Sequence, residues 1–245
     1  MTHILIKNIE LLFGNQVVHI GDVFTDVYTA VHDNIDTYMT PDEDGYAHVI
    51  LKDCIFYSIA MHCTLYFNKG VLDEIDMDID WQNNKNITRS LGIDRATRLI
   101  ADKNRSALRK YGFEIFNANR SSTDFYANEL VIMTAIMKGK DNYGIKIRKS
   151  RIEDKLKYAE SKGYAFATKY LIDNKLKVGY MYKEEPDNQQ DSGWRFFTGD
   201  EDDNYINNPD NIELYSVRTI AEIDLRIIPF LNQKPPFSYN FRHPE

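Results

Sequence analysis

The sequence predicts an α+β protein of two domains, each a mainly antiparallel sheet with helices packed against it. Three observations carry this. Short apolar runs alternating with polar residues at period two recur between polar turns, the pattern of half-buried strands. Separate stretches place apolar residues at helical spacing. The length, 245 residues, allows one large domain or two small ones at roughly 150 residues per domain.

Residues 9–19 read as two short strands around a Gly14-Asn15 turn. In the following DVFTDVYTAVHD, Val23, Val27, Ala30 and Val31 recur at helical spacing, with Asp22 or Thr25 placed to cap. Strands are expected at 47–52 and then over 54–80, where a three-residue loop, Asn68-Lys69-Gly70, makes a hairpin. Its second arm alternates Ile75, Met77 and Ile79 with Glu74, Asp76, Asp78 and Asp80. Residues 93–111 read as one helix or two in tandem, with Ile93, Ala96, Ile100 and Tyr111 inward and Arg95, Arg98, Arg105 and Arg109 outward. Runs at 129–137 and 143–148, around the polar KGKDNYG turn, would complete a first sheet. The charged helical stretch 149–162 ends at Gly163 and supplies the boundary, giving domains 1–148 and 149–245. Beyond it, 164–172 and 176–183 are expected to form a hairpin around Asp173-Asn174-Lys175. Trp194–Thr198 gives a third strand, and the tail after Pro229 is expected to be irregular.

Composition narrows the function classes. With 43% hydrophobic and 27% charged residues, fibrous and disordered classes are excluded. Two cysteines, Cys54 and Cys63, lie in apolar strand-like runs, so no disulfide framework is expected and a reducing compartment is the natural reading. The first residues lack a signal-peptide pattern, and no apolar run reaches the roughly 18 residues of a membrane span. A cytoplasmic protein that does not engage membranes is the expectation. The net charge of −7 is unevenly placed: residues 1–80 carry 14 acids and 3 bases, 81–182 carry 10 and 21, and 183–211 carry 9 and 2. A net acidic chain repels phosphate backbones, so nucleic acid is not the expected partner, and a basic protein is.

Several constellations compete with plainer readings. The ladder Glu74/Asp76/Asp78/Asp80 places like charges about 7 Å apart on one strand face. It is either a cation or basic-partner site or an acidic face that keeps a strand soluble. The arginine face of 93–111 reads as a phosphate site or a solvated helix face. Cys54, His62 and Cys63 match no zinc spacing, and the histidines, His243 among them, are scattered singly. Asp200, Asp202 and Asn204 mimic the start of a calcium loop, but Tyr205 stands where Gly is required and Asn211 where Glu is required. No phosphate loop, nucleophile elbow or zinc-protease motif occurs. No catalytic residue, metal site or cofactor is therefore predicted.

The densest segment is Lys177–Asn211. Val178, Tyr180 and Tyr182 alternate along one strand, Trp194-Arg195-Phe196-Phe197 makes another, and acidic loops 184–191 and 200–211 leave their ends. Aromatics beside carboxylates combine contact area with electrostatic steering of a basic partner.

Through VGYMYKEEPDN, DSGWRFFTGDEDDNY and NPDN, this segment resembles the immunity-protein-thirty-three-like domain of bacterial polymorphic-toxin systems. The likeness continues more loosely through Tyr215, Thr219-Ile220, Asp224 and Ile227-Ile228-Pro229. It spans about residues 164–240 and leaves residues 1–148 outside. Arg218 and Glu222 depart from the family pattern, which has Asn on either side of the Thr-Ile pair. The resemblance implies an immunity protein, not an enzyme, that binds the catalytic domain of a cognate toxin, such as a nuclease. It would neutralise that toxin by occluding its active site or substrate path. The expected contact residues are Glu184, Glu185, Asp187, Asp191, Trp194, Asp200, Glu201, Asp202, Asp203 and Tyr205, aided by Glu74, Asp76 and Asp78. The alternative is a metal-binding protein or metal-dependent hydrolase using the acidic clusters.

Overall fold

The structure, a computed structural model, describes residues 2–7, 10–119, 121–127, 129–137 and 142–242. The chain divides into two compact units, Met1–Ser150 and Arg151–Glu245. Each is an α+β unit whose sheet is largely antiparallel.

The first unit begins with β1 (Thr2–Lys7), β2 (Glu10–Phe13), β3 (Gln16–Val18), α1 (Phe24–Val31) and β4 (Ile35–Met39). The central strands β5 (Ala47–Phe56), β6 (Ile59–Asn68) and β7 (Val71–Ile79) follow. Then come α2 (Lys85–Leu91), α3 (Ile93–Lys110), β8 (Glu114–Ala118), β9 (Ser122–Ala127), β10 (Leu130–Met137) and β11 (Asn142–Lys149). They build an eleven-stranded sheet in the order β3-β2-β1-β5-β6-β7-β11-β10-β9-β8, with β4 also paired to β5. Among its described residues, only the short β1–β5 pairing is parallel. One face, carrying Val49, Met61, Leu65, Ile75, Met77 and Ile145, is buried together with Val27 and Val31 of α1 and Ile100 and Leu108 of α3.

Several local expectations need correction. β5 runs on to Phe56 through a bulge at Asp53 and turns into β6 at Tyr57-Ser58, both at positive φ (45° and 71°). The β6–β7 turn holds two residues, Lys69 and Gly70, not three, because Asn68 pairs with Val71. Neither Asp22 nor Thr25 caps α1: the cap position is Val23, and Asp22 instead accepts the His19 N–H at 2.6 Å. Ile93 and Tyr111 are exposed at the ends of α3, Tyr111 stacking on Tyr57 of the β5–β6 turn at 5.7 Å. Arg105 leaves the arginine face to bond Asp102 (2.7 Å) and Thr123 (3.4 Å). Most of the KGKDNYG turn and His243 lie outside the described residues.

The second unit consists of α4 (Ile152–Glu160), β12 (Tyr164–Thr168), α5 (Lys169–Asp173), β13 (Tyr180–Lys183), β14 (Asp191–Phe197), α6 (Asp203–Ile206), β15 (Ile212–Ser216), α7 (Val217–Ile223) and β16 (Phe237–Asn240). Its five strands run in the order β15-β12-β14-β13-β16, with β12 and β14 parallel. The hairpin expected between 164–172 and 176–183 does not form. The Thr168 hydroxyl accepts the Leu171 N–H and starts α5, which turns the chain out of the strand and buries Leu171. β12 then pairs with β14 and β15, and the hairpin lies instead between β13 and β14. The tail after Pro229 is irregular only in part, because β16 adds an edge strand beside β13.

Candidate functional site

Register assigns each side chain of the second sheet to a face, because residues paired across strands point the same way. Ala167, Phe196, Met181 and Tyr239 stand in one row, and Trp194, Lys183 and Phe237 in the next. Met181, Trp194 and Phe196 on this face are fully buried. Phe230 covers it at ring-centroid distances of 6.0 Å from Phe237 and 4.3 Å from Tyr239.

The opposite face carries Leu214, Phe166, Arg195, Tyr182 and Ser238 in one row and Phe197, Tyr180 and Asn240 in another. Here Leu214, Phe166, Tyr180 and Tyr182 remain half-exposed. Tyr182 stacks on Phe197 with centroids 5.9 Å apart and planes within 9°, and Tyr180 lies 6.0 Å from Tyr182. Burial, followed by the Glu184 charge, pushes the Tyr182 hydroxyl above the usual tyrosine range, so it stays protonated and neutral. Beside these rings runs a groove of about 520 Å³, bounded also by Gly199, Glu201, Ile206 and Arg242. A second hollow of about 410 Å³ lies toward Lys183, Glu184 and Phe237.

Two glycines of the segment make this geometry possible. A Cβ on Gly179 would lie 1.9 Å from the Thr198 carbonyl oxygen, so only glycine lets β13 start so close to the end of β14. Gly193, at φ +80°, would place a Cβ 2.2 Å from the Glu184 carbonyl oxygen.

The acidic loops prove to be partly self-neutralised. Arg195, 7% exposed at its side chain, meets Asp191 at 2.9 Å, Glu184 at 2.6 Å and Asp187 at 3.4 Å, and stacks over Phe166 at 4.8 Å. Asp191 also accepts the N–H groups of Asp187 and Gly193, both at 2.9 Å. Burial alone would raise its pKa, but Arg195 and these two N–H groups outweigh it and hold the carboxyl below the usual range. Glu201 accepts the Thr198 and Gly199 N–H groups (2.9 and 2.8 Å) and the Thr168 hydroxyl (2.7 Å). Asp202 caps α6 through the Tyr205 N–H at 2.8 Å, and the Tyr205 hydroxyl accepts the Tyr170 N–H at 3.1 Å. Asp200 forms a two-pronged ion pair with Arg242. A further pair, the buried Asp224 with the half-exposed Arg226, fixes the Val178 backbone.

Among the residues expected to contact a partner, Trp194 and Asp191 therefore need correction. Trp194 is fully buried on the covered face, and the Asp191 side chain is sealed against Arg195. Glu201 is half-buried and occupied in holding its own loop. Glu185, Asp187, Asp202 and Asp203 are exposed, Glu184 and Asp200 border the open face, and Tyr205 is half-buried beside it. Phe166, Phe197, Asn240 and Arg242 belong to this face and were not expected. The only sequence signal for them is the register, which follows from knowing which strands pair.

Glu74, Asp76 and Asp78 belong to the first unit and are half-buried. They form no exposed acidic strand face. Lys146 of the neighbouring β11 pairs with Glu74 and lies 3.3 Å from Asp76. Asp80, just past the strand, bonds the Gln82 and Asn83 N–H groups at 2.9 and 3.1 Å. Cys54 and Cys63 are buried, and a hydrogen bond to Cys54 together with burial pushes the Cys63 thiol well up, the state of an inert thiol. Among the described residues, no group of three or more His, Cys, Asp or Glu is placed to hold a metal ion. No helix among them is long and apolar enough to cross a membrane.

With this geometry in place, comparison with known proteins adds one finding. Residues 165–245 match the family model described as the Immunity protein Imm33 domain, so the match spans nearly all of the second unit. No curated protein and no solved structure matches the chain.

Proposed function

We propose that the protein is an immunity protein that binds the catalytic domain of a cognate toxin in the cytoplasm and neutralises it by occluding the active site or substrate path. The observation that carries this reading is that the part of the chain matching the Immunity protein Imm33 domain also leaves one sheet face open. That face presents stacked aromatics between two acidic loops. Binding of this kind needs no catalysis. It needs tight association, which desolvated aromatic contact and complementary charge supply. The acids favour a basic toxin surface, and a nuclease active site is basic because it holds phosphates.

The test is co-expression with the toxin, comparing the wild-type protein with a variant carrying Glu185→Gln, Asp202→Asn and Asp203→Asn. Asparagine still caps a helix as well as aspartate does, so the fold is kept while three exposed charges are removed. We expect protection to weaken and the association rate to fall, with a shallower dependence on salt. Undiminished protection and an unchanged rate would refute an acidic-loop interface.

A further inference from the structure

Both acidic loops of the second unit already close around a guanidinium. Arg195 is enclosed by Glu184, Asp187 and Asp191, and Arg242 reaches from the end of β16 to both oxygens of Asp200. The two differ in one respect. Arg195 is 7% exposed at its side chain, whereas Arg242 is 45% exposed and its partner Asp200 56%. Arg195 is thus part of the core, while Arg242 is a surface group whose pairing water and competing ions readily exchange.

Arg242 also lies at the groove. Its Nε would be 3.6 Å from a Cβ added to Gly199, and it borders the same roughly 520 Å³ space as Tyr180, Tyr182 and Phe197. A cation held over aromatic faces and ending at a carboxylate is a favourable arrangement. This groove has the rings, and its own arginine, beside Gly199 at the rim, holds the Asp200 carboxylate next to it.

On the reading that this face binds a basic toxin, we propose that the groove beside Tyr180, Tyr182 and Phe197 receives an arginine side chain of the partner, whose guanidinium takes Asp200 from Arg242. Arg242 then acts as an internal competitor that keeps Asp200 paired until the partner arrives.

The test uses the full chain, labelled for amide NMR, titrated with tri-arginine amide as the probe and with tri-lysine and tri-citrulline amides as controls. The expected result is saturable shifts at Gly199, Tyr182 and Asn240 with tri-arginine, with weaker binding of tri-lysine and none of neutral tri-citrulline. Removing one ring face by Tyr182→Leu should weaken tri-arginine binding about two- to fivefold, and Tyr182→Phe should restore it. Arg242→Gln should tighten binding by about the same factor. Equal binding of tri-citrulline or tri-lysine, shifts located away from the groove, or unchanged or weaker binding by Arg242→Gln would overturn the proposal. Co-expression of the wild-type chain with the toxin is read separately. If it protects while the peptide results fail, the groove is wrong and the immunity reading stands. If it does not protect, the immunity reading fails whatever the peptides show.

Discussion

Replacing Asp191 with asparagine removes one of the three carboxylate partners of the buried Arg195. Asp191 has no exposed side-chain surface, and it accepts Arg195 Nη1 and Nη2 at 2.9 Å each as well as two backbone N–H groups at 2.9 Å. Asparagine has the same shape, but Oδ1 accepts from Arg195 and the Gly193 N–H, and Oδ2 from Arg195 and the Asp187 N–H. Its amide NH2 therefore faces two donors whichever way it turns. Breaking a buried ion pair by removing one partner costs about 3–5 kcal/mol. Glu184 and Asp187 still reach Arg195, so we expect the lower end, about 3 kcal/mol at pH 7. The assay is denaturant unfolding followed by Trp194 fluorescence in a Trp81→Phe background, since the chain has two tryptophans and only Trp194 lies in this unit. The pH dependence carries a sign. Asp191 has its folded pKa depressed, so its contribution is full above the unfolded value, about 4, and is lost as pH falls through the folded value. Wild type and variant should converge as pH drops below about 4. A loss under about 1 kcal/mol at pH 7, or a gap that does not shrink below pH 4, refutes this account of Arg195.

Other predictions follow from the same geometry. Gly179→Ala should destabilise the second unit by about 3 kcal/mol, because its Cβ cannot coexist with the Thr198 carbonyl; a midpoint close to wild type would contradict the close approach. Glu201→Gln exchanges a carboxylate accepting two N–H groups and a hydroxyl for a neutral amide and should cost about 1–2 kcal/mol, read from the same Trp194 transition. In the first unit, burial holds Asp76 above the usual carboxylate range despite Lys146. A group raised in this way stabilises below its unfolded pKa, and the gain is lost as pH rises through the folded value. Lys146→Met should therefore make stability fall more steeply between about pH 4 and 7, with the Asp76 carboxyl titrating at higher pH by carbon NMR; parallel stability curves would contradict the pairing.

Much of the architecture is legible from residues alone. Lys69-Gly70 between alternating arms announces its hairpin, and the 149–162 stretch ending at Gly163 announces a helix at α4. What escaped had weak local signals. Tyr57-Ser58 takes left-handed backbone with neither Gly nor Asn, so β5 and β6 read as separate or continuous runs. The pair β8 and β9 is joined by an Asn119 side-chain turn inside a polar stretch that does not alternate clearly. Thr168 looks like a strand residue until its hydroxyl caps α5. The site was half legible for a similar reason. Tyr180 and Tyr182 share a face by period two alone. In Trp194-Arg195-Phe196-Phe197 every position suits burial, so only pairing with Tyr182 and Met181 reveals that Trp194 faces the core and Phe197 the groove. Charge density was visible, but its neutralisation was not. Asp200 and Arg242 lie 42 residues apart in sequence, and no local pattern joins them.

The most direct test of the central proposal, that the open face of the second sheet is where a toxin binds, is hydrogen–deuterium exchange of the full chain with and without the catalytic domain of the proposed toxin partner. The account predicts slowed exchange in the loops 184–190 and 199–203 and along the free edge of β16, with α4 and α7 unchanged. Protection confined to α4 and α7, or to the first unit, would contradict it.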